Sequence, residues 1–198
     1  MISDVSVAAT SSAEYAAGLA EVAKHALISG EDLVGVLRER AATLRCRDVA
    51  ALAEVVARSV AVKARIVSGD EREQGDRLFL NYGHTFAHAI EQVSGPDVTD
   101  DGQSVSLGMM AAAYLAHRQG RIDQDLVRLH RSLLSSLGLP VSGSFDSGAL
   151  QEAWQRDKKY RGSMRFVVLN GLGQPQSGVP ADETTLAAVL ADLAAKPS

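Results

Sequence analysis

Residues 77–91 read Arg77-Leu78-Phe79-Leu80-Asn81-Tyr82-Gly83-His84-Thr85-Phe86-Ala87-His88-Ala89-Ile90-Glu91, and this stretch predicts a helix over about Arg77 to Val93. At about 100° per residue, Arg77, Asn81, His84 and His88 fall within an arc of about 60°. One helix face then carries a guanidinium, an amide and two imidazoles. Such a face makes a poor core surface, because each group needs a partner if buried. It makes a good wall for a polar pocket. His84 and His88 stand at i, i+4, a spacing that can chelate one metal ion. The same spacing can equally supply one ligand and one acid–base group, and it also occurs on solvated helix faces.

The flanking sequence is helical on both sides. Upstream, Ile2 to Thr10 reads as an irregular entry. Ser11 and Glu14 have the spacing of a capping box, opening a helix through about Leu27, and Ser29-Gly30 breaks it. Asp32 to Leu44 reads as a second helix. Asp48 caps a third reaching about Val67, whose stripe of Leu52, Val55, Val56, Ser59, Val60, Val62, Ile66 and Val67 is wide enough to predict a central position. Downstream, Ser94 to Gly102 reads as a loop, followed by helices over Ser104 to Arg118 and Gln124 to Leu137. Pro140 to Gly148 forms a second loop, and a short helix over Ala149 to Arg156 precedes Asp157-Lys158-Lys159. Arg165 to Leu169 is β-prone and glycine follows it, so it reads as a strand. Glu183 to Ala194 closes the chain as a last helix. The expectation is a mainly α fold: one helical bundle over residues 1–198, with one short strand or hairpin near residues 165–169.

Composition agrees. Aromatic residues are only 5% of the 198, and alanine and leucine abound, which favours helices packed through small side chains. A net charge of −4 argues against a broad electrostatic grip on nucleic acid or an anionic membrane. No apolar run approaches the roughly 20 residues of a membrane span. Cys46 is the one cysteine, so no intrachain disulfide can form, and Met1-Ile2-Ser3-Asp4 does not open a signal peptide. A cytoplasmic location is expected.

Two further clusters carry chemistry. Glu21 and Lys24 are i, i+3 and can meet on one helix face. A surface ion pair is one reading, yet Gly18-Leu19-Ala20 and Ala26-Leu27-Ile28 make the surrounding helix apolar. Lys158 and Lys159, before a turn with Gly162, read either as a solvated turn or as phosphate-binding point charges.

Four stretches in order resemble the 3-dehydroquinate synthase family, and more widely the sugar phosphate cyclases. They are Glu14-Tyr15-Ala16-Ala17-Gly18-Leu19-Ala20-Glu21-Val22-Ala23-Lys24-His25; Lys63-Ala64-Arg65-Ile66-Val67 with Asp70-Glu71-Arg72-Glu73; the Arg77–Glu91 stretch; and Asp157-Lys158-Lys159 with Gly162 and Arg165-Phe166-Val167-Val168-Leu169. The resemblance implies the helical, C-terminal half of such an enzyme. It implies Glu21 and His84 as two of three ligands of a zinc or cobalt ion. Lys24, Lys63, Arg77, Asn81 and His88 match substrate-contacting or proton-handling positions, and Glu73 a carboxylate at the same pocket. One of Lys158 and Lys159 matches a phosphate-binding lysine. The implied reaction converts a seven-carbon sugar acid phosphate, through oxidation by NAD, phosphate elimination and aldol closure, into a carbocycle of the shikimate pathway. Family members are usually homodimers.

Two departures stand out. Where the family carries a His-Gly-Glu segment, this chain has Asp101-Gly102-Gln103. Either Asp101 replaces the histidine as an oxygen ligand, giving a Glu21/His84/Asp101 site, or it faces solvent and the metal is lost. No G-x-G-x-x-G and no alternating strand–helix pattern is found, so the NAD-binding domain is expected to be absent and supplied by another domain or subunit. Three functions follow: a 3-dehydroquinate synthase domain, a cyclase of secondary metabolism making an aminocyclitol or aminoshikimate precursor, or a non-catalytic domain that keeps the fold.

Overall fold

Ser11 opens the first helix as a reciprocal cap. Its Oγ accepts from the Glu14 N–H at 3.2 Å, and the Glu14 carboxylate accepts from the Ser11 N–H at 2.9 Å. The computed structural model that shows this describes residues 10–69, 75–94, 101–143, 145, 148–150 and 164–195. Helix α1, Ser12–Ser29, is buried from Leu19 to Ile28 except at Glu21, and Gly30 ends it at φ 111°. Helix α2, Glu31–Arg45, buries Leu33, Val34, Leu37, Ala41 and Leu44, a stripe of helical period. Helix α3, Val49–Gly69, starts where Asp48 Oδ1 accepts the Ala51 N–H at 2.8 Å.

The stretch from Arg77 to Val93 is not one helix, which corrects the expectation. Asp76–Asn81 forms a 3₁₀ turn, Tyr82 and Gly83 follow, and helix α4 runs His84–Ser94. The cause is a close backbone approach. Gly83 sits at φ 83°, in the left-handed region that favours glycine. A Cβ on Gly108, which faces it from helix α5, Asp101–Arg118, would lie 2.2 Å from the Gly83 carbonyl oxygen. The two glycines bring α4 and α5 together and force the break. The arc computed for a continuous helix therefore does not describe this segment.

A second expectation is also corrected: α3 is not the centre of the bundle. Only Ala51, Val55 and Ser59 along it are buried, and Val60 is 59% exposed. The centre is α5. Met109 to Ala113, Leu115 and Ala116 are all fully buried, and α5 packs against α1, α4, β1 and helix α6, Gln124–Ser136. Small side chains let neighbours approach α5 on every side; at Gly102 a Cβ would fall 2.3 Å from the Ala17 nitrogen. A helix apolar all round is buried, whereas α3's apolar residues are set beside exposed Lys63, Ala64 and Arg65.

The β-prone stretch forms a hairpin, as expected. Strand β1, Phe166–Leu169, pairs antiparallel with β2, Pro175–Val179, with Phe166 opposite Val179 and a register shift before Val168. All four residues of β1 are buried, and Phe166 stacks on Phe86 with ring centroids 4.6 Å apart. The Gly173 N–H donates to the Leu27 carbonyl at 3.0 Å, tying the hairpin loop to α1. The last helix, α7, Glu183–Ala194, is capped by Asp182, which accepts from Thr185 N–H at 2.7 Å, and packs on α5. Residues 148–150 are helical, where the short helix is expected; the rest of it lies outside the described residues, as do Ile2 to Ala9. Among the described residues no helix is long and apolar enough to cross a membrane.

A Gly108→Ala substitution is expected to cost about 3 kcal/mol in urea unfolding, the upper end for overpacking, because its methyl meets backbone that cannot yield. Gly18→Ala, mid-helix with nothing within 4 Å, is expected to stabilise by about 0.5–1 kcal/mol. Equal effects at the two positions would contradict the close approach.

Candidate active site

Four segments converge on one open cavity of about 330 Å³. Its walls are Glu21, Lys24 and His25 from α1, Lys63 and Val67 from α3, Arg77, Leu78, Leu80 and Asn81 from the 3₁₀ turn, and His84, the first residue of α4. The convergence follows from helix geometry. Glu21, Lys24 and His25 are neighbours on one face of α1, and Lys63 and Val67 lie one turn apart on α3.

Lys24 is 3% exposed, so the surface ion-pair reading of Glu21 and Lys24 does not hold. The Lys24 ammonium donates to both Glu21 oxygens, at 2.7 and 2.8 Å. Burial drives Lys24 below its usual pKa against the pull of Glu21, and Lys63 adds to the lowering. Burial pushes the Glu21 carboxyl up, but the charge and hydrogen bonds of Lys24, with His84 and His25 nearby, leave it below the usual carboxylate range. Glu21 is thus an ionised carboxylate at neutral pH.

His84 stands on the other side of Glu21, with Nε2 3.6 Å from Glu21 Oε1. Its Nδ1 lies 3.3 Å from the Tyr82 carbonyl, a bond in which Nδ1–H donates. Burial and the Lys24 charge lower the His84 pKa, against Glu21. The ring is therefore neutral, with the Nε2 lone pair on the Glu21 side. His88 lies one turn further along α4. It is exposed, meets the His84 ring edge-on at a centroid distance of 6.0 Å, and does not line the cavity.

The remaining sequence-derived candidates divide clearly. Lys63, Arg77 and Asn81 join the cavity. Glu73, Lys158 and Lys159 lie outside the described residues, and Asp101 opens α5 with a side chain that lies outside them too. Among the described residues, no three His, Cys, Asp or Glu side chains gather around one point. With Lys24, Lys63 and Arg77 set against Glu21, the cavity has the charge to suit an anionic small molecule.

One polar wall residue is absent from the sequence-based candidates. His25 is 5% exposed, and its Nδ1 sits 2.6 Å from Ser59 Oγ, a buried tie between α1 and α3. Its Nε2 is buried without a hydrogen-bond partner among the described residues. Burial, reinforced by Lys24, pushes its pKa down to about 4. The available signal was Ser59 itself, a hydroxyl on the apolar stripe of α3 that needed a buried partner.

The family described as 3-dehydroquinate synthase C-terminal matches residues 18–160. A 3-dehydroquinate synthase of Mycolicibacterium gilvum is 40% identical over 183 residues, covering 91% of this chain and 51% of that protein. One from Thermobifida fusca is 42% identical over 164 residues, covering 82% and 44%. The chain spans about half the length of the curated relatives it matches. Among solved structures, 2-epi-5-epi-valiolone synthase from Streptomyces hygroscopicus subsp. jinggangensis, with NAD+ and Zn2+ bound, superposes with a TM-score of 0.81 at 22% identity, over 94% of this chain and 53% of that one. A 2-deoxy-scyllo-inosose synthase complexed with carbaglucose-6-phosphate, NAD+ and Co2+ gives 0.75 at 23% identity, over 93% and 53%. At these identities the two structures speak for the fold.

The buried histidines set an acid limit. His25 and His130, the latter in the core of α6, are both pushed from 6.5 to about 4 by burial. Between those values the unfolded chain binds more protons than the folded one, so stability rises with pH. Urea unfolding is expected to show stability complete above about pH 6.5 and lost toward about pH 4, by on the order of a few kcal/mol in total. Glu21, held low, adds its own loss only below about 4.5. A flat profile between pH 6.5 and 4 would contradict the burial of both imidazoles.

Proposed function

The chain belongs to the 3-dehydroquinate synthase family, and from that premise we propose that it is the metal- and substrate-binding domain of a sugar phosphate cyclase. Its substrate is a seven-carbon sugar acid phosphate, from which phosphate is eliminated as a carbocycle forms. The observation that carries this reading is the 3.6 Å separation of Glu21 Oε1 and His84 Nε2. Two ligands bound at 2.0–2.2 Å and a tetrahedral angle lie about 3.4 Å apart. An ionised carboxylate and a neutral imidazole whose other nitrogen donates to a carbonyl are the donor set such an ion takes. Glu21 and His84 would hold it, with Asp101 as the third ligand.

A zinc or cobalt ion would supply Lewis-acid polarisation of a substrate oxygen, and NAD held by a separate nucleotide-binding domain or subunit would supply the hydride. The chain's own residues do the positioning. Lys24 keeps Glu21 ionised and fixed. Lys63 and Arg77 meet the substrate's carboxylate and phosphate, joined by one of Lys158 and Lys159. Asn81 orients a hydroxyl, and exposed His88, beside His84, carries protons between site and solvent. Glu73 supplies a further carboxylate at this pocket.

A second reading rests on Asp101-Gly102-Gln103, which stands where the family carries His-Gly-Glu. A second carboxylate on the ion weakens it as a Lewis acid, which suits a cyclase acting on a different sugar phosphate in secondary metabolism. Turnover of a sugar phosphate panel, with the nucleotide-binding part and NAD supplied, separates the two; no turnover of any member favours a non-catalytic domain.

By titration calorimetry, the parent protein is expected to bind zinc or cobalt, and Glu21→Ala with His84→Ala to weaken binding by at least about 100-fold, more than loss of an outer-shell partner costs. Equal binding by the double variant would remove the site. In the reconstituted enzyme, Lys63→Ala or Arg77→Ala is expected to raise KM for the sugar phosphate about 10-fold or more through loss of a charge-assisted bond. An unchanged KM would take both residues out of substrate binding.

A further inference from the structure

Tyr82 occupies the bend between the 3₁₀ turn and α4, and its ring is fully buried. A buried phenol needs a partner for its hydroxyl. Here the partner is His130 on α6, with Nε2 2.8 Å from the Tyr82 oxygen and the rings edge to face at 6.0 Å. His130 is also fully buried, and its Nδ1 is 2.7 Å from the Leu126 carbonyl. A carbonyl oxygen only accepts, so Nδ1 carries the proton and Nε2 the lone pair. The Tyr82 hydroxyl must therefore donate to Nε2. Every proton in this relay has one allowed place.

The same tyrosine presents its main-chain carbonyl to His84 Nδ1 at 3.3 Å. By the same argument His84 donates through Nδ1 and keeps its Nε2 lone pair, the atom 3.6 Å from Glu21. Among the described residues, Tyr82 is the one fully buried side chain at this bend, beside the backbone contact of Gly83 with α5. None of the six residues of the 3₁₀ turn is buried, and Gly83 brings no side chain. Yet this turn carries Arg77 and Asn81, and the bend leads directly into His84.

We propose that the buried Tyr82–His130 pair is a positioning device. It anchors the Tyr82 carbonyl so that His84 is held as the Nδ1–H tautomer with Nε2 aimed toward Glu21. His130 and Tyr82 are positioning residues and touch neither substrate nor ion. The proposal rests on the cation site above for its purpose, but the tautomer it fixes is a property of the protein alone.

The test uses the protein with nitrogen-15 histidine, free of metal, at a pH above the imidazole range. Long-range proton–nitrogen correlation spectra report each ring's tautomer. The parent is expected to show His84 as Nδ1–H, and Tyr82→Phe to show a mixture of tautomers. Zinc or cobalt affinity is then expected to fall about 10-fold, in the range for loss of an outer-shell partner. Val189→Ala, a core truncation on α7, which gives no residue to the cavity, is expected to lower stability but leave both readouts at parent values. His130→Leu tests the link from the α6 side with the same expectations if Tyr82→Phe does not fold. A variant that loses the Tyr82–His130 bond yet keeps the parent's His84 tautomer and metal affinity overturns the proposal. A parent that binds neither ion overturns the metal reading instead, while the tautomer comparison still decides the anchor.

Discussion

A lysine ammonium at 3% exposure inside an apolar helix is tolerable only against a fixed counter-charge. Lys24 has that in both oxygens of half-exposed Glu21, and this pair is the constraint around which the cavity is arranged. Removing either partner leaves the other uncompensated. The pair also fixes a carboxylate, held ionised, at the point where the 3₁₀ turn and α4 bring His84 within 3.6 Å. The bundle's small residues make that approach geometrically possible. Gly83 and Gly108 let α4 lie against α5, and Gly102 lets α5 lie against α1.

Much of this was legible in the sequence, for identifiable reasons. The caps at Ser11 and Asp48 are local hydrogen bonds, so local spacing revealed those two helix starts. The β-hairpin followed from β-branched residues and glycine. What local reading missed was set by tertiary approach. The helix over Arg77 to Val93 breaks because the backbone of α5 comes within van der Waals reach of Gly83, which periodicity within the segment does not encode. The place of α3 was misjudged similarly: apolar residues make a stripe, but the central position fell to α5, whose small side chains admit neighbours on every side.

For the site, residue types were more informative than their angular arrangement. Glu21, Lys24, Lys63, Arg77, Asn81 and His84 do meet at one cavity. They meet through a bent segment rather than the straight helix face that first grouped the last three. His88, placed on the same face by that reasoning, lies exposed beside His84 instead. His25 joined the wall unannounced because its partner, Ser59, is 34 residues away on another helix. The cavity also explains how a chain of net charge −4 can present a cationic site: among the described residues that line it, three basic side chains are gathered against one carboxylate.

The most direct test of the shared cation site is anomalous X-ray diffraction at the zinc edge from crystals grown with zinc. The predicted result is a single strong peak about 2.0–2.2 Å from both Glu21 Oε and His84 Nε2. A peak elsewhere, or these two side chains separated too far to share an ion, contradicts it.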